Sequence, residues 1–274
     1  MTDSPDSVER HYTQGGLLAR ILSALTEAGH DTDRLTADVL APLDHLHTGG
    51  SGSTRAQADA IGFAGDDHVL DLGCGIGGPA RYLAATYGCR VTGIDLTAEF
   101  IEVAKELTSR CGLADSVTFR RGDVLDLPFG DKAFDVVLSQ NLSMNIADKD
   151  TMYREITRVL KPGGKLTSLD YVQGTVGDPH YPTGWADTAD ISHLLPPDDM
   201  REVIERNGLQ VIEWVERSDM VVAAAAKPSA PQGKPGSLGL HVALGDDYPV
   251  RQRNVVRNLS ENRLRYIMIV AERR

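Results

Sequence analysis

Cysteine is scarce in this chain of 274 residues. The three present, Cys74, Cys89 and Cys111, show no CxxC spacing. That argues against a disulfide framework or a structural zinc site, so no metal is expected, and it fits a reducing, cytoplasmic setting. Long apolar runs are missing as well. None approaches the roughly 20 residues of a membrane span, and the acidic opening Met-Thr-Asp-Ser-Pro-Asp lacks the features of a signal peptide. Basic charge is in deficit: 28 Lys and Arg against 39 Asp and Glu, for a net charge of −11. Such a surface repels nucleic-acid phosphates and anionic membranes, so neither is an expected partner. Repeats and low-complexity tracts are lacking. What is left is a soluble globular enzyme with one sizeable core and a small appended cap.

The stretch that organises the rest is His68-Val-Leu-Asp-Leu-Gly-Cys-Gly-Ile-Gly-Gly78. A short apolar run ends in a glycine-rich turn, and Pro79 to Tyr87 reads as the helix behind it. Strand, glycine turn and helix make a nucleotide cradle. Gly73, Gly75 and Gly77 clear side chains from the turn, Pro79 suits a first helical turn, and the helix N–H groups face whatever lies above the strand.

Around this stretch the chain alternates. Strands are predicted at His68–Leu72, Arg90–Asp95, Val117–Arg121, Phe134–Ser139, Lys165–Asp170, Gln210–Val215 and Tyr266–Val270. Helices are predicted after Thr97 as far as Cys111-Gly112, from Asp148 to Leu160, over Pro197–Asn207 and near Arg251–Leu259. The βαβα rhythm implies a parallel sheet covered on both faces. Ahead of it, residues 1–10 read as disordered. Gly16–Ala28 has Leu18, Ile21, Leu22 and Leu25 on one face, Thr36–Leu40 is a short helix, and Ser53 can cap a helix through Ile61. Residues 1–60 are therefore expected to form an N-terminal helical lid. Residues 61–274 form the cofactor-binding domain, with insertions at 174–195 and 218–263.

Two acids sit where a nucleotide needs them. Asp95, at the end of the second strand, lies 22 residues after Gly73, a placement that lets a carboxylate accept from both ribose hydroxyls. Asp123 follows the third strand and could accept from an adenine amino group. Past the fifth strand, His180, Tyr181 and Trp185 could wall an acceptor pocket, with His180 and Tyr181 also candidates for closure or proton handling. His45 and His47 lack a carboxylate cluster and read as loop residues. Arg251, Arg253 and Arg257 could reach a carboxylate or form a solvated helix face.

The segments Asp71-Leu-Gly-Cys-Gly-Ile-Gly-Gly78, Gly-Ile-Asp95, Gly-Asp123, Asp-Val-Val-Leu-Ser139 and Arg-Val-Leu-Lys-Pro-Gly-Gly164 occur in that order. Together they resemble the class I S-adenosylmethionine-dependent methyltransferases, over roughly residues 40–215. The resemblance implies an α/β fold: a doubly wound, seven-stranded, mostly parallel Rossmann-like sheet with an antiparallel last strand. It implies S-adenosyl-L-methionine as cofactor, held by Asp71, Gly73, Gly75, Gly77, Asp95, Leu96, Asp123 and Val124.

His11-Tyr12, His-Thr-Gly-Gly50 and Ser139-Gln-Asn-Leu-Ser-Met-Asn145 are similar to the branch of sarcosine/dimethylglycine and phosphoethanolamine N-methyltransferases. That likeness implies that Tyr12 closes over the site. It also implies that Thr48, Gly49 and Gln140 meet the methionine end of the cofactor, and that Asn141 and Asn145 face the substrate. Amine-methylating members of the branch often carry an aspartate where Asn141 stands and a histidine where Asn145 stands. Asparagine can neither hold a cation by charge nor take its proton. The expected reaction is methyl transfer to a small molecule, an amine or a carbon or oxygen of a biosynthetic metabolite, by a monomer or homodimer. The alternatives are ring closure within S-adenosylmethionine with release of methylthioadenosine, a non-catalytic cofactor sensor, and, from the glycine turn alone, a nicotinamide dehydrogenase.

Overall fold

A computed structural model describes residues 15–226, 238–245 and 247–274. The segment read as disordered, 1–10, lies outside the described residues, as do Tyr12 and residues 227–237 of the Pro/Gly/Ser-rich piece that reads from Lys227 to Gly239. Three helices come first: α1 (Leu17–Glu27), α2 (Ala37–Asp44) and α3 (Gly50–Ile61). The alternating core follows: β1 (His68–Leu72), α4 (Gly78–Tyr87), β2 (Arg90–Asp95), α5 (Ala98–Arg110), β3 (Val117–Arg121), β4 (Phe134–Gln140), α6 (Lys149–Val159), β5 (Leu160–Gln173), α7 (Pro197–Arg206) and β6 (Leu209–Glu216). Then come α8 (Ser218–Ala225), α9 (His241–Leu244), α10 (Tyr248–Ser260) and β7 (Leu264–Arg273).

The seven strands make one sheet in the order β3-β2-β1-β4-β5-β7-β6. All neighbours are parallel except β7, which runs antiparallel to both β5 and β6. This is the doubly wound, Rossmann-like arrangement expected. The chain winds outward from β1 to β3 and then crosses to β4 on the other side of β1. That crossing opens a crevice at the carboxyl ends of β1 and β4, where such sheets bind ligands.

Both faces of the sheet are apolar, as burial under helices demands. Leu70, Leu72, Val137 and Ile269 pack with Met152 and Ile156 of α6 and Val203 of α7. On the opposite face Val69, Val91 and Leu138 meet Ala58, Leu83 and Ala104 of α3, α4 and α5. The helical cap is not a loose appendage. Leu17, Ile21 and Leu25 of α1 and Leu40 and Leu43 of α2 pack with Phe100, Val103 and Leu107 of α5. The fully buried row of α1 is thus Leu17-Ile21-Leu25, with Leu18 and Leu22 on its flank. Glu99 of α5 accepts from the Gly15 and Leu17 N–H groups at 3.0 and 2.9 Å, a carboxylate at a helix N-terminus.

The strongest cap contact is a buried ion pair. Asp44, at the end of α2, meets Arg81 of α4 at 2.9 Å and the His45 ring at 2.7 Å. The Arg81 guanidinium also donates to the Ile76 and Ala104 carbonyls and to Thr108 Oγ1. The backbones approach so closely here that a Cβ on Gly78 would lie 2.3 Å from the Asp44 carbonyl oxygen.

Element ends differ from the sequence reading where a partner intervenes. α3 starts at Gly50 rather than behind Ser53: Gly49 is its N-cap at φ 87°, and a Cβ there would sit 2.0 Å from Ser53 Oγ. Thr97 holds the N-cap position of α5 without a capping bond from its side chain. Asp148 caps α6 as expected, accepting from the Thr151 N–H at 2.9 Å. β5 is longer than expected because Leu160 already pairs with Phe134. Lys161-Pro-Gly-Gly164 then bulges out of the ladder before Lys165 meets Val136. Its far end runs to Gln173, and β7 beyond both expected ends, because the two strands pair from Lys165–Glu272 to Gln173–Leu264.

Candidate functional site

A cavity of about 380 Å³ occupies the crevice. Four successive strand ends build it, each delivering one segment: Asp71 to Gly75 after β1, Asp95 to Thr97 after β2, Asp123 to Leu125 after β3, and Gln140 to Asp148 after β4. Leu46, His47 and Thr48 enter from the cap, and Tyr171 from β5. Trp185 comes from the segment after β5, and α9 and α10 complete the wall.

Below β1 the turn is held by backbone bonds, with the Gly73 and Cys74 N–H groups both donating to the Ile94 carbonyl at 2.8 and 3.0 Å. The Asp95 carboxylate is fixed by two amides: Gly75 N–H at 2.9 Å on one oxygen and Thr97 N–H at 2.9 Å on the other. Each oxygen keeps a lone pair for a further donor. Asp71 is 1 % exposed, and its Oδ2 is buried without a partner. Burial, and then the Asp95 charge, push the Asp71 carboxyl up to about 7. Burial also raises Asp95, against the pull of its amide donors. Asp123 Oδ1 accepts from the Leu125 N–H at 2.9 Å, shaping its own turn. Val124 and Leu96 supply apolar wall. Gly77 does not reach the cavity. It caps α4 at φ 82°, where a Cβ would lie 2.5 Å from the Phe119 ring.

On the β4 side Gln140 donates to Gln57 Oε1 at 2.6 Å and Thr54 Oγ1 at 3.1 Å, while its own Oε1 is buried and unpartnered. Asn141 takes a left-handed backbone at φ 52°, and Asn145 donates to the Leu142 carbonyl at 3.3 Å. Sequence reasoning missed what holds this loop. Asp170, buried at the end of β5, accepts from the Leu142 and Ser143 N–H groups, both at 2.9 Å.

Two tyrosines tie the cap to the strands. Thr48 Oγ1 and the Tyr171 hydroxyl are 2.5 Å apart, and Tyr266 Oη lies 3.1 Å from both the Thr48 carbonyl and Asn141 Oδ1. Tyr171 stacks on Trp185 at 4.9 Å, and the Trp185 indole donates to Ser192 Oγ at 2.9 Å. Gly49 lies just outside the lining, at the N-cap of α3. His47 is buried. Its Nε2 is 3.0 Å from the Gly50 carbonyl, and burial drives its pKa down to about 3, so the ring is neutral.

Two candidates stand elsewhere. His180 pairs with Glu261 at 2.8 Å, and its N–H donates to Asn258 Oδ1, on the far side of α10 from the cavity lining. Tyr181 is half-buried among the residues that pack on Leu259 and Trp185, its hydroxyl turned to Ser192. The intervening Pro182 to Gly184 carry only Gly184 and Trp185 to the cavity, so proximity in sequence to Trp185 did not bring these two with it. Among the lining residues that the reading left out are the aromatic or apolar Phe100, Tyr171, Leu240, Leu244, Tyr248 and Val255, the amide Gln252 and the acids Asp44 and Asp148. Tyr171 follows Asp170 at a strand end and could have been found by that position. Those from α9 and α10 carry no local signal.

Charge in the lining is one-sided. Asp44, Asp71, Asp95, Asp123 and Asp148 line it, and among the described residues no lysine or arginine does. A pyrophosphate would be repelled there, and a cation welcomed. This separates the site from a nicotinamide cradle.

A family model described as a methyltransferase domain matches residues 70–168. The glycine/sarcosine/dimethylglycine N-methyltransferase of Actinopolyspora halophila is 33% identical over 178 residues, 65% of this chain and 32% of that protein. The chain thus spans about a third of that relative's length. The O-methyltransferase cnsE of Penicillium expansum is 31% identical over 227 residues, 82% of this chain and 78% of that one. In fold, the chain matches the geranyl diphosphate C-methyltransferase of Streptomyces coelicolor A3(2), solved with Mg2+, geranyl diphosphate and S-adenosyl-L-homocysteine. The TM-score is 0.71 at 19% identity, over 98% of this chain and 97% of that one. No helix among the described residues is long and apolar enough to cross a membrane. The chain belongs to the S-adenosylmethionine-dependent methyltransferases.

Proposed function

We propose that this enzyme methylates a neutral, mainly apolar small molecule whose nucleophile needs no strong base. One observation carries the reading: the lining beyond the aspartates is uncharged. Leu142, Met144, Ile146, Trp185, Leu244 and Val255 give it an apolar wall, and the polar side chains beside them are amides, hydroxyls and the neutral His47 imidazole. An anionic acceptor would find no counter-ion there, and a cationic one would lose its hydration among these apolar side chains. His47, held neutral near pKa 3, is too weak a base to strip an alcohol or an ammonium. A neutral amine, an acidic phenol-like hydroxyl or a stabilised carbon fits.

S-adenosylmethionine, when bound, supplies an electrophilic methyl group on a sulfonium. The residues present suit it. Asp95 keeps lone pairs for the ribose hydroxyls, and Asp123 and Val124 flank the adenine. The unpartnered Asp71 Oδ2 and Gln140 Oε1 can take ammonium protons, as buried acceptors require partners. Leu96 closes over the ribose side, and Gly73 and Gly75 admit the ligand to the backbone. Gly77 and Gly49 act on it indirectly, through the helices they cap. Thr48 carries the methionine end toward Asn141 and Asn145, where the acceptor's nucleophile would stand. The protein contributes position and dryness rather than a dyad.

Mass spectrometry of the cofactor-derived product tests this. S-adenosylhomocysteine formed only when a neutral acceptor is added supports the proposal. Methylthioadenosine formed without any acceptor would replace it with ring closure on the same cofactor. Turnover of charged amines in preference to neutral acceptors would sink the acceptor class.

A further inference from the structure

α10 carries five basic or amide side chains between Arg251 and Arg257, and the structure sorts them by face. The three arginines lie off the lining. Arg251 is held by Asp247 at 2.7 Å, Asp187 at 2.6 Å and the Thr183 carbonyl at 2.8 Å. Arg257 is held by Glu261 at 2.7 Å, and Arg253 is exposed. Asn254 is engaged as well, donating to the Pro182 carbonyl at 2.9 Å. The face turned to the cavity is Tyr248, Gln252 and Val255, at i, i+4 and i+7. Neither the Tyr248 hydroxyl nor the Gln252 amide has a hydrogen-bond partner among the described residues. Both are half-buried in an apolar wall shared with Leu240, Leu244 and Trp185. Their polar groups stay open to the cavity, where a bound molecule can engage them.

We infer that Tyr248 and Gln252 form a two-point hydrogen-bonding seat on α10 for a neutral oxygen of the acceptor, a carbonyl or a hydroxyl, apart from the atom that is methylated. Each group can both donate and accept, so the seat takes either function. It does not suit a carboxylate or a phosphate, because every cation of the helix is turned away and most are already neutralised. This rests on the cavity being the acceptor site, and it narrows the acceptor from apolar to apolar with a second oxygen. Loss of one such bond leaves its buried partner unpaired, which discriminates more strongly than a change in apolar area.

The test uses the full chain saturated with S-adenosyl-L-homocysteine. Binding of matched probes is measured by titration: 1-tetralone against tetralin, 2-naphthol against naphthalene, and 2-naphthoate as the anion. Wild type should bind each neutral oxygenated probe about fivefold or more tighter than its hydrocarbon, and more tightly than 2-naphthoate. Gln252→Leu should shrink that preference to within about twofold while leaving hydrocarbon binding in place, and Tyr248→Phe should reduce it in part. Gln252→Glu, close to isosteric, covers the case in which the leucine variant folds poorly: it should weaken binding of 2-naphthoate further. Affinity for S-adenosyl-L-homocysteine stays constant throughout. Equal binding of oxygenated and plain probes by wild type overturns the seat, as does preference retained in both Gln252→Leu and Tyr248→Phe, or no binding of any probe. If the preference is found but no acceptor yields S-adenosylhomocysteine, the seat stands and the proposed reaction falls.

Discussion

Asp95 and Asp71 lie at the ends of adjacent strands, yet they are arranged to different ends. Asp95 is pre-oriented by two amides and has capacity to spare. Asp95→Ala should therefore weaken S-adenosylmethionine binding by roughly 1–3 kcal/mol through lost charged hydrogen bonds, read by calorimetry. Asp71 is buried with one oxygen unmatched, and its carboxyl is held near 7 against an ordinary value of 3.8. The sign follows from linkage. Between those two values the folded state holds a proton that the unfolded chain has released. Stability of the cofactor-free protein should fall as pH rises from about 4 to 7, by up to about 1.4 kcal/mol per pH unit from this group. Asp44, held below its ordinary value, acts only in the more acidic window. Urea titrations of wild type and Asp71→Asn at pH 5 to 7.5 should show a slope in the first and a flatter line in the second. These acids were legible because the glycine turn and the strand ends announce them. The repulsion between Asp71 and Asp95 was not, since it depends on the spacing of two parallel strands.

At the level of elements, the contact that matters most is the one joining α2 to α4. The Asp44–Arg81 pair is shut from water, and removing one partner leaves the other charged and alone. Asp44→Asn should cost about 3–5 kcal/mol, measured by chemical denaturation, with the loss felt in the cap and the glycine turn together because Arg81 also holds the Ile76 carbonyl. Nothing in the sequence pairs residues 44 and 81; the first sixty residues read as a lid because they precede the first strand. The structure packs α1 and α2 on α5 and brings α2 against Gly78. β1, β2 and β3 came through with the expected ends because each begins and finishes in turn residues. The ends of β5 and β7 did not, because each strand runs as far as its neighbour's hydrogen bonds do, through the bulge at Lys161-Pro-Gly-Gly164. His180 and Tyr181 were expected at the site because their segment follows the fifth strand, but His180 pairs with Glu261 and neither residue lines the cavity.

Over the whole molecule, charge has a kinetic consequence. A net charge of −11 accompanies a crevice lined by aspartates and, among the described residues, by no lysine or arginine. Association of S-adenosylmethionine, a net cation, should be electrostatically guided. Its on-rate should fall about two- to tenfold between 20 and 300 mM salt, while that of uncharged methylthioadenosine changes little; stopped-flow fluorescence would read both. A parallel sheet covered on both faces was legible from the alternation, and its antiparallel last strand from the family resemblance; the strand order itself is the structure's. The composition of the acceptor wall was not legible, since α9 and α10 come to it from far along the chain. That same order governs assembly during synthesis. β5 and β6 leave the ribosome with a strand-wide gap between them, and the element that fills it, β7, is translated last of the seven. Until then two bare hydrogen-bonding margins face each other, open to strands of a neighbouring nascent polypeptide. Slow translation ahead of Leu264 should therefore divert more of this protein to chaperones than an equal delay anywhere earlier.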